Sequence, residues 1–444
     1  MYVKVMIKPL LQLNRWQLSR QISILLCLLS LCSLAILSGC QNNIPQKNHI
    51  THLTLWQGIN PPANRDVFQK LVTKFNQTHP NIQVDSLFIL GSDMALPKIL
   101  TSVVGNATPD LLVYNPGITG QIVELDAVTP LDQWWNQFPH KSEVFPNLLE
   151  QLKLNGKLWS LPLWNSNVGI FYRPDLFEAA GITQTPKTWE ELIAVAQKLT
   201  LDKNRDGHPE QYGILLPLGK GGWTVFTWFP FVLSAGGGIM TDNYPNLNNP
   251  AAITAIKFWQ QLLQTGVATL SPPERGYEED AFFAGRVAMQ ITGPWSYITK
   301  SPIPFNAFPI PIHTTPATVT GTGNIFMMKT TSEKQQAALK FLEFIVSQEF
   351  QTPWSIGTGF LPVNIKSLNS PEYQDYLQTR PWLKVFLDQI PLAGSLPTIA
   401  GFSRISENLG RAIEQTLLGK SSAEVALKQA QERLDVIWGD MSSP

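Results

Sequence analysis

Leu53-Thr54-Leu55-Trp56, then Val67, Phe68, Leu71, Val72 and Phe75, then Ile82-Gln83-Val84: residues 53–84 carry the reading that decides the fold class. The first is a short apolar strand. The second set recurs at spacings of three and four, as one face of a helix does. The third is a strand again. Asp110-Leu111-Leu112-Val113-Tyr114 is a further strand, stopped by Asn115-Pro116-Gly117. Strands alternating with amphipathic helices predict α/β layers around a mostly parallel sheet.

Helix boundaries further along are signposted. Thr188 with Glu191 forms a capping box ahead of Leu192, Ile193, Ala196 and Leu199. Asn249-Pro250 supplies an N-cap and a first-turn proline, and Gly266 closes that helix. Ser332 with Gln335 opens a helix that buries Ala338, Phe341, Leu342, Ile345 and Val346. Ser421 with Glu424 opens the last, with Val425, Leu427, Leu434 and Ile437. Pro302, Pro304, Pro309, Pro311 and Pro316 crowd one short stretch, a composition that suits an extended crossing between domains.

The 444 residues suffice for two or three domains with sizeable cores. An apolar share of 44% excludes a disordered chain, and the absence of a repeat period excludes a solenoid. Lys+Arg and Asp+Glu balance at 33 each, so there is no electrostatic footprint for nucleic acid. That balance averages two segments. Residues 1–39 carry Lys4, Lys8, Arg15 and Arg20 and no acid; without them 29 basic residues face 33 acidic ones.

The front segment reads as an export signal. Arg20 precedes an apolar run, Ile22 to Leu37, whose helix would span about 24 Å, short of the ~30 Å hydrocarbon core. A basic region, a short apolar region and a small-residue cleavage site are the marks of a secretory signal. The site, Leu37-Ser38-Gly39-Cys40, resembles a bacterial lipobox, in which the cysteine thiol is acylated and the peptidase cuts before it. Residues 1–39 are thus expected to be a lipoprotein signal peptide and 40–50 a lipidated cysteine and polar tether. With Cys27 and Cys32 removed, Cys40 is the one remaining cysteine, and no disulfide can form within the body.

A series of blocks then identifies a resemblance. Phe75-Asn76 with His79-Pro80-Asn81-Ile82 is followed by Thr108-Pro109-Asp110-Leu111 and by Gly156-Lys157-Leu158-Trp159-Ser160-Leu161-Pro162. Next come Phe171-Tyr172-Arg173-Pro174-Asp175-Leu176-Phe177 and Pro186-Lys187-Thr188-Trp189-Glu190-Glu191-Leu192. Phe283-Ala284-Gly285-Arg286-Val287-Ala288-Met289 and Gly357-Thr358-Gly359-Phe360-Leu361-Pro362 complete the series. In this order the chain resembles the extracellular solute-binding proteins of ATP-binding-cassette (ABC) importers, in the group that captures sugars, polyols and glycerol-3-phosphate. The resemblance implies an α/β, two-lobed periplasmic-binding-protein clamshell with a multi-strand hinge. One lobe is expected at about 51–165 plus 313–363, the other at about 166–312 plus 364–444.

A neutral, hydroxyl-rich ligand needs flat apolar faces and a few fixed polar groups. Trp56, Trp164, Trp223, Trp228, Trp295 and Trp354 could supply the faces, whereas Trp189 and Trp259 sit at helical core positions. Trp223 follows Gly219-Lys220-Gly221-Gly222, and Trp295 ends Thr292-Gly293-Pro294-Trp295; in sugar-binding relatives a tryptophan after such a Gly-Pro commonly stacks on the ligand. The resemblance adds Asp93, Asn115, Asn167, Gly321, Thr322, Phe360 and Arg404 to the expected ligand-binding set. The glycerol-3-phosphate branch has a tyrosine at Phe360, an acid at Asn115 and an arginine near Ser406. Without that arginine, phosphate recognition weakens, which favours an uncharged sugar or polyol.

Asp202, Asn204, Asp206 and Glu210 reproduce part of a calcium loop, with Gly207 at the sixth place. Gly213 stands where the bidentate carboxylate belongs, so a capped surface turn is the favoured reading. No Gly-x-Ser-x-Gly elbow, Walker loop or His-Glu-x-x-His is present. The resemblance implies a monomeric, non-enzymatic binder without a cofactor, partnered by permease subunits in the membrane. A glycerol-3-phosphate or glycerophosphodiester binder of the same fold is the alternative. A lipid-anchored glycoside hydrolase is the alternative from another class, since paired carboxylates leave no sequence spacing to read.

Overall fold

The computed structural model describes residues 49–89, 92–218, 222–242, 244–272, 279–295, 302–399 and 401–441, without side chains at 92–94 and 437–441. The expected signal peptide and Cys40 lie outside them. Residues 51–444 form one compact unit, and the fold below is that of this unit.

Its strands run in chain order β1 (Thr51–Gln57), β2 (Ile82–Phe88), β3 (Leu111–Tyr114), β4 (Lys153–Leu154), β5 (Lys157–Leu158), β6 (Ser160–Asn167), β7 (Gly169–Tyr172) and β8 (Tyr212–Leu216). Then follow β9 (Met240–Thr241), β10 (Tyr244–Pro245), β11 (Ala268–Leu270), β12 (Val287–Thr292), β13 (Asn306–Phe308), β14 (Thr318–Met327) and β15 (Ala393–Ser395). One sheet has the order β15-β14-β3-β1-β2, with β6 also paired to β14; the other has the order β11-β8-β12-β7-β13. The β1–β2, β1–β3, β8–β11 and β8–β12 pairs are parallel, as strand–helix–strand units require. The antiparallel pairs of the two large sheets all involve β6, β7, β13 or β14. The sheets are therefore more mixed than the alternation of strands and helices predicts, because these segments run directly between or beside the lobes without an intervening helix.

Each sheet is covered on both faces, and the pleat sorts its residues. Leu111 and Val113 enter a core with Phe68, Phe75, Phe341 and Trp354, whereas Leu112 and Tyr114 face Ile99, Ile122 and Phe326 on the other side. In the second sheet Ile170 joins Trp228, Trp259 and Leu409, while Phe171 faces Tyr373, Trp382 and Phe386. The helix Pro62–Thr78 buries Phe68, Leu71, Val72 and Phe75, as its spacing predicts. Asn76 ties that helix to β2 in both directions: Val84 N–H donates to its Oδ1 at 2.9 Å, and its Nδ2 donates to the Val84 carbonyl at 3.1 Å.

Two strands cross from one core to the other. Leu161 and Leu163 of β6 lie in the first core, and Val168 and Ile170 just beyond lie in the second. β14 returns beside it: Val319 belongs to the second core and Ile325 and Met327 to the first. The two are hydrogen-bonded antiparallel from Thr320↔Asn167 to Phe326↔Ser160. This is a two-lobed α/β clamshell whose hinge includes these paired strands.

The proline stretch differs from its expectation. It does not cross; β13 is the outermost strand of the second sheet, and Ala307, Phe308 and Ile310 are buried there. An edge strand tolerates proline because one side has no ladder to satisfy. Trp189 holds the stretch down, its Nε1 donating to the Pro311 carbonyl at 3.0 Å. Two helix starts shift by one residue. Thr331, not Ser332, accepts the capping bond from Lys334 N–H, and Ser422, not Ser421, accepts from Val425 N–H.

Candidate functional site

The helix Gly222–Ser234 begins with Trp223 and places Phe226 one turn later, so both rings leave the same face. β12 ends at Thr292, and the next three residues deliver Trp295 to the same place. Trp223 and Trp295 meet edge to face at 5.9 Å and 83°, and Phe226 lies 6.2 Å from each. Trp295 packs against both lobe cores, so this cluster sits where the lobes meet.

Glycines make room for it. A Cβ on Gly293 would lie 2.0 Å from the Trp295 ring and 2.6 Å from the Asn167 carbonyl oxygen. Gly321 and Gly323 alternate along β14 and leave a bare strip on the crossing strand. Phe226 rests on the first, where a Cβ would come within 2.7 Å of its ring; Trp164 rests on the second, at 2.0 Å. Ser166 Oγ donates to the Gly321 carbonyl at 2.7 Å, holding β6 and β14 together at this point. Trp164 in turn stacks on Phe360 at 4.9 Å, and Phe360 on the fully buried Trp354 at 5.9 Å. One aromatic group per lobe thus flanks the hinge strip. Gly323→Ala should dislodge Trp164 from its stack and lower stability by about 1–3 kcal/mol, as overpacking does, measured by urea unfolding.

The polar groups around this lining are neutral. Ser406, on the helix Phe402–Leu417, is 5% exposed, and its Oγ has no hydrogen-bond partner among the described residues. It lies 3.8 Å from where a Gly222 Cβ would stand, beside the start of the helix carrying Trp223. Asn115 caps a short turn after β3, accepting from Gly117 N–H at 3.0 Å, and Gly117 lies against the Phe402 ring. One turn on, Gln121 Nε2 donates to Ser403 Oγ at 3.3 Å, a bond from the first lobe to the second. None of the lining residues named so far is ionisable.

The structure separates the remaining candidates. Trp228 and Trp354 are core, as are Trp189 and Trp259; Trp56 is half-buried beneath Lys98. Thr322 is buried on β14 opposite Asn165. Asn167 is buried, its Nδ2 donating to the Phe386 carbonyl at 2.7 Å and its Oδ1 accepting from Gln389 at 3.2 Å, which commits its carboxamide to packing. Arg404 is exposed and turned away from Gly222. It stands two residues from Ser406, a rotation of about 200° around the helix, and lines a groove on the outer side. The side chain of Asp93 lies outside the described residues.

Most oxygens of the Asp202 loop accept within it, although Asp202 Oδ1 is buried without a hydrogen-bond partner among the described residues. Asp202 Oδ2 accepts from Gly207 N–H at 2.9 Å, Asn204 Oδ1 from Asp206 N–H at 2.9 Å, and Asp206 Oδ1 from His208 N–H at 2.7 Å. Glu210 accepts from Lys203 N–H at 2.8 Å. These bonds are those of a capped turn, and among the described residues no group of three or more carboxylates, histidines or cysteines is placed to hold a metal ion. Nor, among them, is any helix long and apolar enough to cross a membrane.

Phe226, Ser166 and Ser406 were not anticipated as site residues. Phe226 was legible, three residues after Trp223 on one helix face. Ser166 and Ser406 carry no local signal, because strand pairing and helix docking bring them in.

Residues 70–380 match the family model described as bacterial extracellular solute-binding protein. A binding protein of Brucella abortus is 28% identical over 378 residues, 83% of this chain and 89% of its own length. Among solved structures, an ABC transporter solute-binding protein of Thermotoga lettingae bound with α-D-tagatose superposes with a TM-score of 0.75. It is 24% identical, covering 87% of this chain and 99% of that one. The Mycobacterium tuberculosis protein UgpB in complex with glycerophosphocholine gives 0.77 at 21% identity, over 88% and 99%. With the family model matched over most of its length and the clamshell fold in place, the chain belongs to the bacterial extracellular solute-binding proteins.

Proposed function

We propose that this chain is the substrate-binding component of an ABC importer that captures an uncharged sugar or related polyol between its lobes and presents it to membrane permease subunits. The observation that carries this reading is the Trp223–Trp295 pair, set with Phe226 on the bare glycine strip of the hinge. Rigid aromatic faces suit the C–H faces of a sugar and lose little entropy when covered. The capture step is closure. The solute shifts the open–closed equilibrium only by its differential affinity for the two states, so contacts from the second lobe set the response.

Relatives are described with both a sugar and a glycerophosphodiester. A neutral lining supports the sugar. Ser406 brings a hydroxyl beside Gly222, and the neighbouring Arg404 is exposed about 200° around the same helix, so no guanidinium among the lining residues named above is placed to meet a phosphate dianion. The lipobox-like Leu37-Ser38-Gly39-Cys40 supports export and a lipid anchor on the extracytoplasmic face. Incubation with aryl glycosides and oligosaccharides should release no product; steady turnover would replace the binder reading with a hydrolase.

A further inference from the structure

The helices Phe402–Leu417 and Ala423–Met441 enclose, on the outer side of the second lobe, a groove of about 470 Å³ lined by Arg404, Glu407, Asn408, Arg411, Arg433 and Val436. Three guanidiniums share it with one carboxylate. We propose that this groove binds a phosphate-type oxyanion, separately from the solute captured between the lobes.

Arg433 carries the argument. Asn408 fixes its orientation: Arg433 Nε donates to Asn408 Oδ1 at 2.6 Å, while Asn408 Nδ2 is held by the Arg404 carbonyl at 2.9 Å. Its Nη2 is buried and has no acceptor among the described residues. A buried donor without a partner is costly, and a guanidinium N–H has only acceptors to seek. Burial, and after it the charge of Arg411, outweigh the opposing charge of Glu432, which itself pairs with Lys428, and hold the Arg433 guanidinium below its ordinary pKa, so the site as it stands is short of negative charge. Glu407 does not supply it, because it pairs with Arg411 at 3.0 Å on the exposed rim. Asp435 points elsewhere, accepting from Tyr244 and Gln431. A tetrahedral oxyanion would accept from Arg433 Nη2 and complete the ring of cations, in the fork geometry that arginine offers phosphate. Such a group could come from free phosphate or from a phosphodiester headgroup at the membrane surface.

Calorimetric titration of the full chain with inorganic phosphate, and separately with dihexanoyl phosphatidylglycerol below its micelle concentration, distinguishes the two sources. Saturable binding is expected for at least one probe, weakened about tenfold or more in both Arg411→Gln and Arg433→Gln, and diminished by salt. Trp223→Ala should bind the probe as wild type does. Binding of phosphate assigns the free ion; binding of the lipid alone assigns the headgroup. Arg411 is exposed, so its variant decides the matter if Arg433→Gln does not fold. No binding of either probe, full affinity retained in the arginine variants, or loss of binding in Trp223→Ala overturns the proposal.

Discussion

Trp223→Ala should abolish the thermal stabilisation that a bound sugar or polyol confers, while the unliganded protein unfolds close to its wild-type temperature. The ring is half-buried at the start of its helix and meets Trp295 edge to face, so its removal takes away one wall of the proposed cleft without opening a lobe core. Truncation of an aromatic anchor at the centre of an interface costs about 2–4 kcal/mol, roughly thirty- to nearly a thousandfold in affinity. Trp295→Ala should lose affinity similarly and lower the unliganded melting temperature as well, because that ring packs on both cores. The contrast is informative: one variant separates binding from stability, and the other joins them. Unchanged affinity in both would remove the aromatic cluster from the site.

Asp110→Ala should strongly destabilise the first lobe. The carboxylate is 6% exposed and accepts four hydrogen bonds from three residues. Thr54 N–H donates to it at 2.8 Å and Thr54 Oγ1 at 3.0 Å from β1; Thr330 Oγ1 donates at 2.6 Å; Lys334 Nζ donates at 2.9 Å from the next helix. Removing the acid leaves the Thr54 and Thr330 donors part-buried without their acceptor, while the 36% exposed Lys334 can turn to water, at a total cost of about 2–3 kcal/mol. Burial alone would raise the Asp110 pKa, but the bonds from Thr330, the Thr54 backbone, Lys334 and the Thr54 hydroxyl outweigh it and hold the carboxyl below its ordinary value. A depressed folded value fixes the sign. The contribution is fully present above the unfolded value near 3.8 and is lost as pH falls through the lower folded value. Urea unfolding between about pH 2 and 7 should therefore show a shallower acid loss of stability in Asp110→Asn than in wild type. Equal slopes would mean that this carboxylate titrates alike in both states.

Local signals carried much of the fold. The apolar runs at 53–56, 82–84 and 111–114 are strands because their alternating residues find cover on two faces, and the helical spacing at 67–75 persists as a buried stripe. The clamshell came from the resemblance, and the structure bears it out. Boundaries failed where two hydroxyl residues stand side by side: Thr331-Ser332 and Ser421-Ser422 each offer two caps, and packing of the helix body selects one. The proline stretch failed for a different reason. Proline excludes a central strand but not an edge strand, and edge position is a property of the whole sheet.

The site was legible only in part. Trp223 and Trp295 stand out because glycines precede them, and the structure brings the two rings together. Arg404 stood out by sequence proximity to Ser406, yet two residues on a helix point to opposite sides. Asn167 looked like a loop amide and is instead the last residue of a crossing strand, bonded to Phe386 and Gln389. Contacts made at separations of more than two hundred residues leave no trace in local spacing.

The most direct test of capture between the lobes is a thermal-unfolding screen of the full chain against neutral sugars, polyols and glycerophosphates. A solute that binds only the native state stabilises it by about 2.7 kcal/mol at a hundred times its Kd. An uncharged sugar or polyol should raise the melting temperature in a concentration-dependent way, and the same solute should leave Trp223→Ala unmoved. Stabilisation by glycerophosphates alone, or of equal size in the variant, would contradict the account.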